Sequence, residues 1–267
     1  MRKNSTILFI ILVVTFSFTS CEKVIQLDLG SSVPQLVIQG NVYDQLGPYQ
    51  VTISRTVNFD TPNIYPAVTN ATVNISDNEG NSEELSQSAA GTYVTSNLRG
   101  IPGRTYNLTV NVYGQSYSAS SFMRKGVHID SVYFKNAFFG GRKLVALNFN
   151  NPPGQEYFYR AIHFVNGRQA TGFSVFSENT IKADTISYSF MSTTNRKPTV
   201  ADPDLVKGDV ISVWLECIDK GVFEYFRTAN SEGGQNASPA NPVSNITNGA
   251  LGYFSACSVS KDSIIYR

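Results

Sequence analysis

The chain has 267 residues, a formal charge of +1, 42% hydrophobic and 15% charged side chains. That length holds two domains with a core each, and so low a charge fraction excludes long disorder. The near-neutral balance leaves no basic surplus for nucleic acid, and 14 Tyr with 17 Phe favour strands.

Residues 1–20 open on Arg2 and Lys3, continue as an apolar run over 7–18 and end on Thr19-Ser20 before Cys21. A bilayer span needs roughly 20 apolar residues, so this pattern predicts a cleaved secretory signal peptide instead. It resembles a bacterial lipoprotein signal, with Phe18 and Ser20 standing where Leu and Gly or Ala are usual. Cys21 is then the acylated new N-terminus, and loss of Arg2 and Lys3 brings the formal charge from +1 to −1. Residues 21–32, ending in Gly30-Ser31-Ser32, read as a lipidated, flexible tether.

Residues 33–124 read as an Ig-like β-sandwich. Leu36, Ile38 and Val42 open a strand in which Gly40 is a candidate bulge. Tyr49, Val51 and Ile53, then Val73 and Ile75, then Tyr106, Leu108, Val110 and Val112 alternate with polar residues. Asp77-Asn78-Glu79-Gly80 supplies turn chemistry and lacks the ligand spacing of an EF-type calcium loop.

Residues 125–267 read as a second, mostly β domain with one short helix and longer loops. Phe138-Phe139 before Gly140-Gly141 places large apolar groups where a turn is normally polar, a candidate partner or ligand contact. Residues 156–166 are apolar on both faces, as in a strand covered on both sides. Residues 210–218 form a strand carrying the only Trp, Trp214. Asp219 is placed to cap a helix with Phe223 and Phe226 facing inward. Two long loops, 191–207 and 231–243, precede closing strands at 253–259 and 263–266.

No nucleophile, metal or nucleotide motif appears, so no enzyme activity and no cofactor or metal is expected. His128 and His163 both read as structural, and Asp202, Asp204 and Asp209 as solvated loop acids. Cys217 and Cys257 are either a disulfide or two buried thiols. Ser131, Thr185 and Ser263 each follow Asp and precede an aliphatic residue, resembling the O-glycosylation site of Bacteroidota envelope proteins.

Several segments taken together resemble one family. They include Cys21-Glu22-Lys23-Val24-Ile25, Leu36-Val37-Ile38-Gln39-Gly40, Gly47-Pro48-Tyr49, Gly91-Thr92-Tyr93, Gly103-Arg104-Thr105-Tyr106 and the stretch from Pro242-Val243-Ser244 through Gly252-Tyr253-Phe254. They are similar in order and spacing to the DUF4249 lipoproteins of Bacteroidota. The resemblance implies an outer-membrane lipoprotein, on the periplasmic or the surface leaflet with the surface favoured, often encoded beside TonB-dependent-receptor-type barrels. The N-terminal half also looks like Ig- or transthyretin-like modules. The expected function is thus a non-enzymatic accessory or binding subunit of such a β-barrel. The alternative is a surface glycan- or host-binding adhesin, with a hydrolase less favoured.

Overall fold

In the computed structural model the described residues are 33–58, 61–62, 64–136, 143–154, 156–170, 172–177, 185–191, 205–231 and 241–267, with chiefly the backbone over 185–191. Pro34–Val57 and Thr61–Arg267 cluster as one unit; the other, Met1–Val33 with Asn58–Asp60, lies almost wholly outside the described residues.

The N-terminal half contributes β1 (Leu36–Tyr43), β2 (Gln50–Arg55), β3 (Thr72–Asp77), β4 (Ser82–Glu84), β5 (Ser86–Ala89), β6 (Thr92–Val94), β7 (Thr105–Val112) and β8 (Gln115–Phe122). There follow β9 (Ile129–Asn136), β10 (Lys143–Asn150), β11 (Phe158–Val165), β12 (Arg168–Gln169), β13 (Ser174–Ser177), β14 (Thr185–Met191) and β15 (Val210–Ile218). A single helix among the described residues, α1 (Lys220–Ser231), and a long last strand, β16 (Leu251–Ile265), complete the chain. The fold is all-β and sandwich-like, with one short helix.

The strands form a nine-stranded sheet in the order β12-β11-β15-β16-β1-β2-β6-β5 with β13 on β11, a four-stranded sheet β4-β3-β7-β8 and a three-stranded sheet β14-β10-β9. β16 is the hinge of this arrangement. Leu251 to Cys257 pair in parallel with β1, and Ser258 to Ile265 pair antiparallel with β15. The segments 253–259 and 263–266, read separately from sequence, are thus one continuous ladder. This strand crosses the seam read at 124, and Phe254 and Ala256 enter the core built by β1, β2, β3 and β7.

Side-chain alternation then assigns the layers. Ile38 and Val42 on β1, Phe254 and Ala256 on β16, and Val213 and Leu215 on β15 share one face of the large sheet. The two smaller sheets pack against that face, one through Val73, Leu108 and Val110, the other through Val145, Leu147 and Phe149. On the opposite face α1 sets Val222, Phe223 and Phe226 against Phe158, Ile218 and Tyr253. β11 is therefore covered on both sides, which explains why apolar residues occupy both of its faces.

Gly40 is no bulge: β1 keeps register with both neighbours through it. A Cβ there would lie 3.0 Å from Val51 Cγ2 and 3.3 Å from Phe254 Cδ2, so it is close packing that calls for glycine.

Candidate functional site

The α1-facing side of the large sheet is unusually polar near its middle. Register puts Glu216 opposite both Arg160 and Val259, and Tyr43 opposite Cys257. Arg160 Nη1 donates to Glu216 Oε2 at 3.2 Å, and the Tyr43 hydroxyl donates to Oε1 at 3.3 Å. Burial pushes the Glu216 carboxyl up, against the opposing pull of Arg160 and Tyr43. The Tyr43 phenol is driven up by burial and then by the Glu216 charge. α1 closes the pair off: the Arg160 guanidinium lies 3.9 Å from the ring centre of Phe226 and 5.4 Å from that of Phe173. A buried ion pair of this kind fixes register more than it stabilises, because desolvation cancels much of its attraction.

Beside this pair the same face opens into a concavity of about 310 Å³. Asn41 and Tyr43 of β1 line it together with Trp214 and Lys261, which face each other across β15 and β16. Gln45, Leu46, Pro48, Tyr49 and Gln50 complete the lining from the β1–β2 connection. Tyr49 anchors that connection, its hydroxyl donating to the carbonyls of Tyr43 and Gln45.

Trp214 is half-buried and held on both flanks. Phe164 approaches from β11 with ring centres 4.8 Å apart, and Lys261 Nζ from β16 at 3.9 Å from the indole centre. Lys261 Nζ also donates to Gln45 Oε1 at 3.4 Å. Asn41 Nδ2 donates to the Tyr253 hydroxyl at 3.3 Å, while its Oδ1 is buried and has no partner among the described residues. Among the described residues the lining holds no carboxylate, imidazole or thiol. Its chemistry is that of holding a ligand: aromatic surface, amide donors and acceptors, and one cation.

The residues singled out from sequence fall elsewhere. Cys21, Phe138 and Phe139 lie outside the described residues, as do Asp202 and Asp204. Asp209 is buried and braces its loop, accepting from Asn166 Nδ2 and the Val206 amide at 2.8 Å each. Asp77 accepts from the amides of Glu79 and Asn81 and from Arg104 at 2.7 Å, which is turn chemistry. Burial opposes its ionisation, but these hydrogen bonds prevail and hold the carboxyl below its ordinary range.

Cys217 and Cys257 are free and buried, so of the two readings the disulfide falls. Cys217 is opposite Ser258, the neighbour of Cys257, and the two thiols therefore point to opposite faces of the sheet. Burial pushes the Cys217 thiol up to about 12 and that of Cys257 well above its ordinary value, so both are inert. Ser131 stands half-exposed on β9, Ser263 exposed on β16, and Thr185 opens β14. His128 is exposed, whereas His163 is buried on the face of Val213.

Reading the sequence strand by strand passed over Asn41, Tyr43 and Lys261. The one signal was the solitary Trp, and it gains meaning only once the pairing of β15 with β16 and of β16 with β1 is known.

A family model described as Domain of unknown function (DUF4249) matches residues 22–263. No curated protein is significantly similar to the chain.

Proposed function

The chain belongs to the DUF4249 family, and from that premise we propose a non-enzymatic, lipid-anchored binding protein of the outer membrane that serves a TonB-dependent-receptor-type barrel as accessory subunit. The observation that carries the binding role is the Trp214 concavity, whose lining offers aromatic surface, amides and one ammonium as contacts. The anchoring role rests on the leader and on Cys21. Acylation supplies residence at the membrane, and the β body presents its concavity to cargo.

Affinity purification from native-host membranes tests this. A barrel co-purifies, and intact mass shows an acylated Cys21 with residues 1–20 removed. Cys21→Ser moves the protein to the soluble fraction. A free thiol at Cys21, or retained residues 1–20, would sink the anchor. Absence of any barrel would instead favour a surface glycan- or host-binding adhesin, a reading that the half-exposed Trp214 also supports.

A further inference from the structure

We propose that the concavity beside Trp214 is a subsite for a neutral carbohydrate, with a pyranose ring stacked on the indole face that Lys261 now covers. This rests on reading the concavity as a binding site and is independent of the lipid anchor and of the barrel.

A volume of about 310 Å³ lies at the lower end of ligand sites, roughly 300–1,000 Å³, and suits one or two sugar rings. Sugar hydroxyls both donate and accept, and so do the amides of Asn41, Gln45 and Gln50. Ligands of other chemistry fit less well. An anion finds a single cation, Lys261, already engaged by the indole and by Gln45. A cation finds no carboxylate among the described lining residues, and a wholly apolar ligand leaves the amides unpaired. Lys261 is exposed, and an ammonium on an exposed aromatic face is weakly held, so a sugar can displace it.

Because Trp214 is the only Trp, fluorescence excited to the red of tyrosine absorption reports this site alone. The full-length chain, in a detergent without a sugar headgroup, is titrated with malto-, cello-, xylo-, manno- and chitohexaose, a proline-rich decapeptide and heparin. At least one neutral hexaose gives a saturable change. By calorimetry with that sugar, Trp214→Ala weakens binding at least about tenfold, and Gln50→Ala, at an exposed position, weakens it severalfold. Lys261→Ala tightens it by about two- to fivefold, since the indole face is freed. Circular dichroism checks that Trp214→Ala is folded; should it not be, the Gln50 and Lys261 variants decide. The proposal is overturned by no response to any neutral hexaose, by a response to the peptide or heparin alone, or by loss of binding in Lys261→Ala. Barrel co-purification is unchanged in these variants, so this proposal and the membrane reading fail separately.

Discussion

At the scale of single residues, the molecule has buried two kinds of ionisable group and treats them differently. Arg160 and Glu216 are buried together and neutralise one another. His163 is buried on the opposite face, and burial lowers its imidazole to about 4 from 6.5. Above pH 6.5 both folded and unfolded chains carry it neutral, and it contributes no pH dependence. Between 6.5 and 4 the unfolded chain alone takes up the proton, so stability falls as the solution is acidified. At pH 4.5 this amounts to about 2.5 kcal/mol relative to pH 7. Urea unfolding at the two pH values, for the wild type and for His163→Gln, isolates the effect from that of carboxylates such as Asp77. The variant loses about 2.5 kcal/mol less on acidification. Equal losses in the two proteins would show that His163 takes no part in the acid response.

At the scale of elements, β16 depends on a close approach that a side chain would prevent. Gly252 pairs with Ile38 at φ +100°, and a Cβ there would stand 1.9 Å from the Ile38 carbonyl oxygen. Gly252→Ala must therefore move backbone against backbone as well as adopt a strained φ. A cost of about 3 kcal/mol or more is expected. Gly103→Ala is the control, since its φ is +91° but nothing lies within 4 Å of the added Cβ; it costs about 1–2 kcal/mol. Urea midpoints measure both. Near-equal losses would mean that β16 shifts to accommodate the methyl group and that its register with β1 is soft.

Much at this scale was legible in the sequence. Period-two alternation marked β1, β2, β3 and β7, because each has one face in a core and one in a polar setting. Asp219 as the cap of α1 was legible too: its Oδ1 accepts from the Val222 amide at 2.9 Å. What alternation does not encode is which strand lies beside which. The parallel pairing of β1 with β16 joins residues more than two hundred positions apart, and no turn links them to announce it. The same ignorance of register left the faces of Cys217 and Cys257 undecided and kept Trp214 apart from Asn41, Tyr43 and Lys261.

At the scale of the whole molecule, that long-range pairing has a consequence for how the body comes apart. If the segments before and after residue 124 were independent, loss of one core would leave the other standing. β16 argues against that, because it completes the first core with Phe254 and Ala256 and continues as the partner of β15. Detaching it opens both ladders at once, so the described body should unfold as one cooperative unit. Trp214 reports the β15 side alone, while far-UV circular dichroism reports every sheet. Leu108→Ala empties a fully buried position on β7, remote in sequence from Trp214, at a cost of about 2–5 kcal/mol. In urea, the fluorescence and dichroism transitions coincide in the wild type, and Leu108→Ala lowers both midpoints equally. If the variant splits the transitions and leaves the Trp214 midpoint where it was, β16 couples the halves weakly and the boundary near 124 separates two energetically distinct domains.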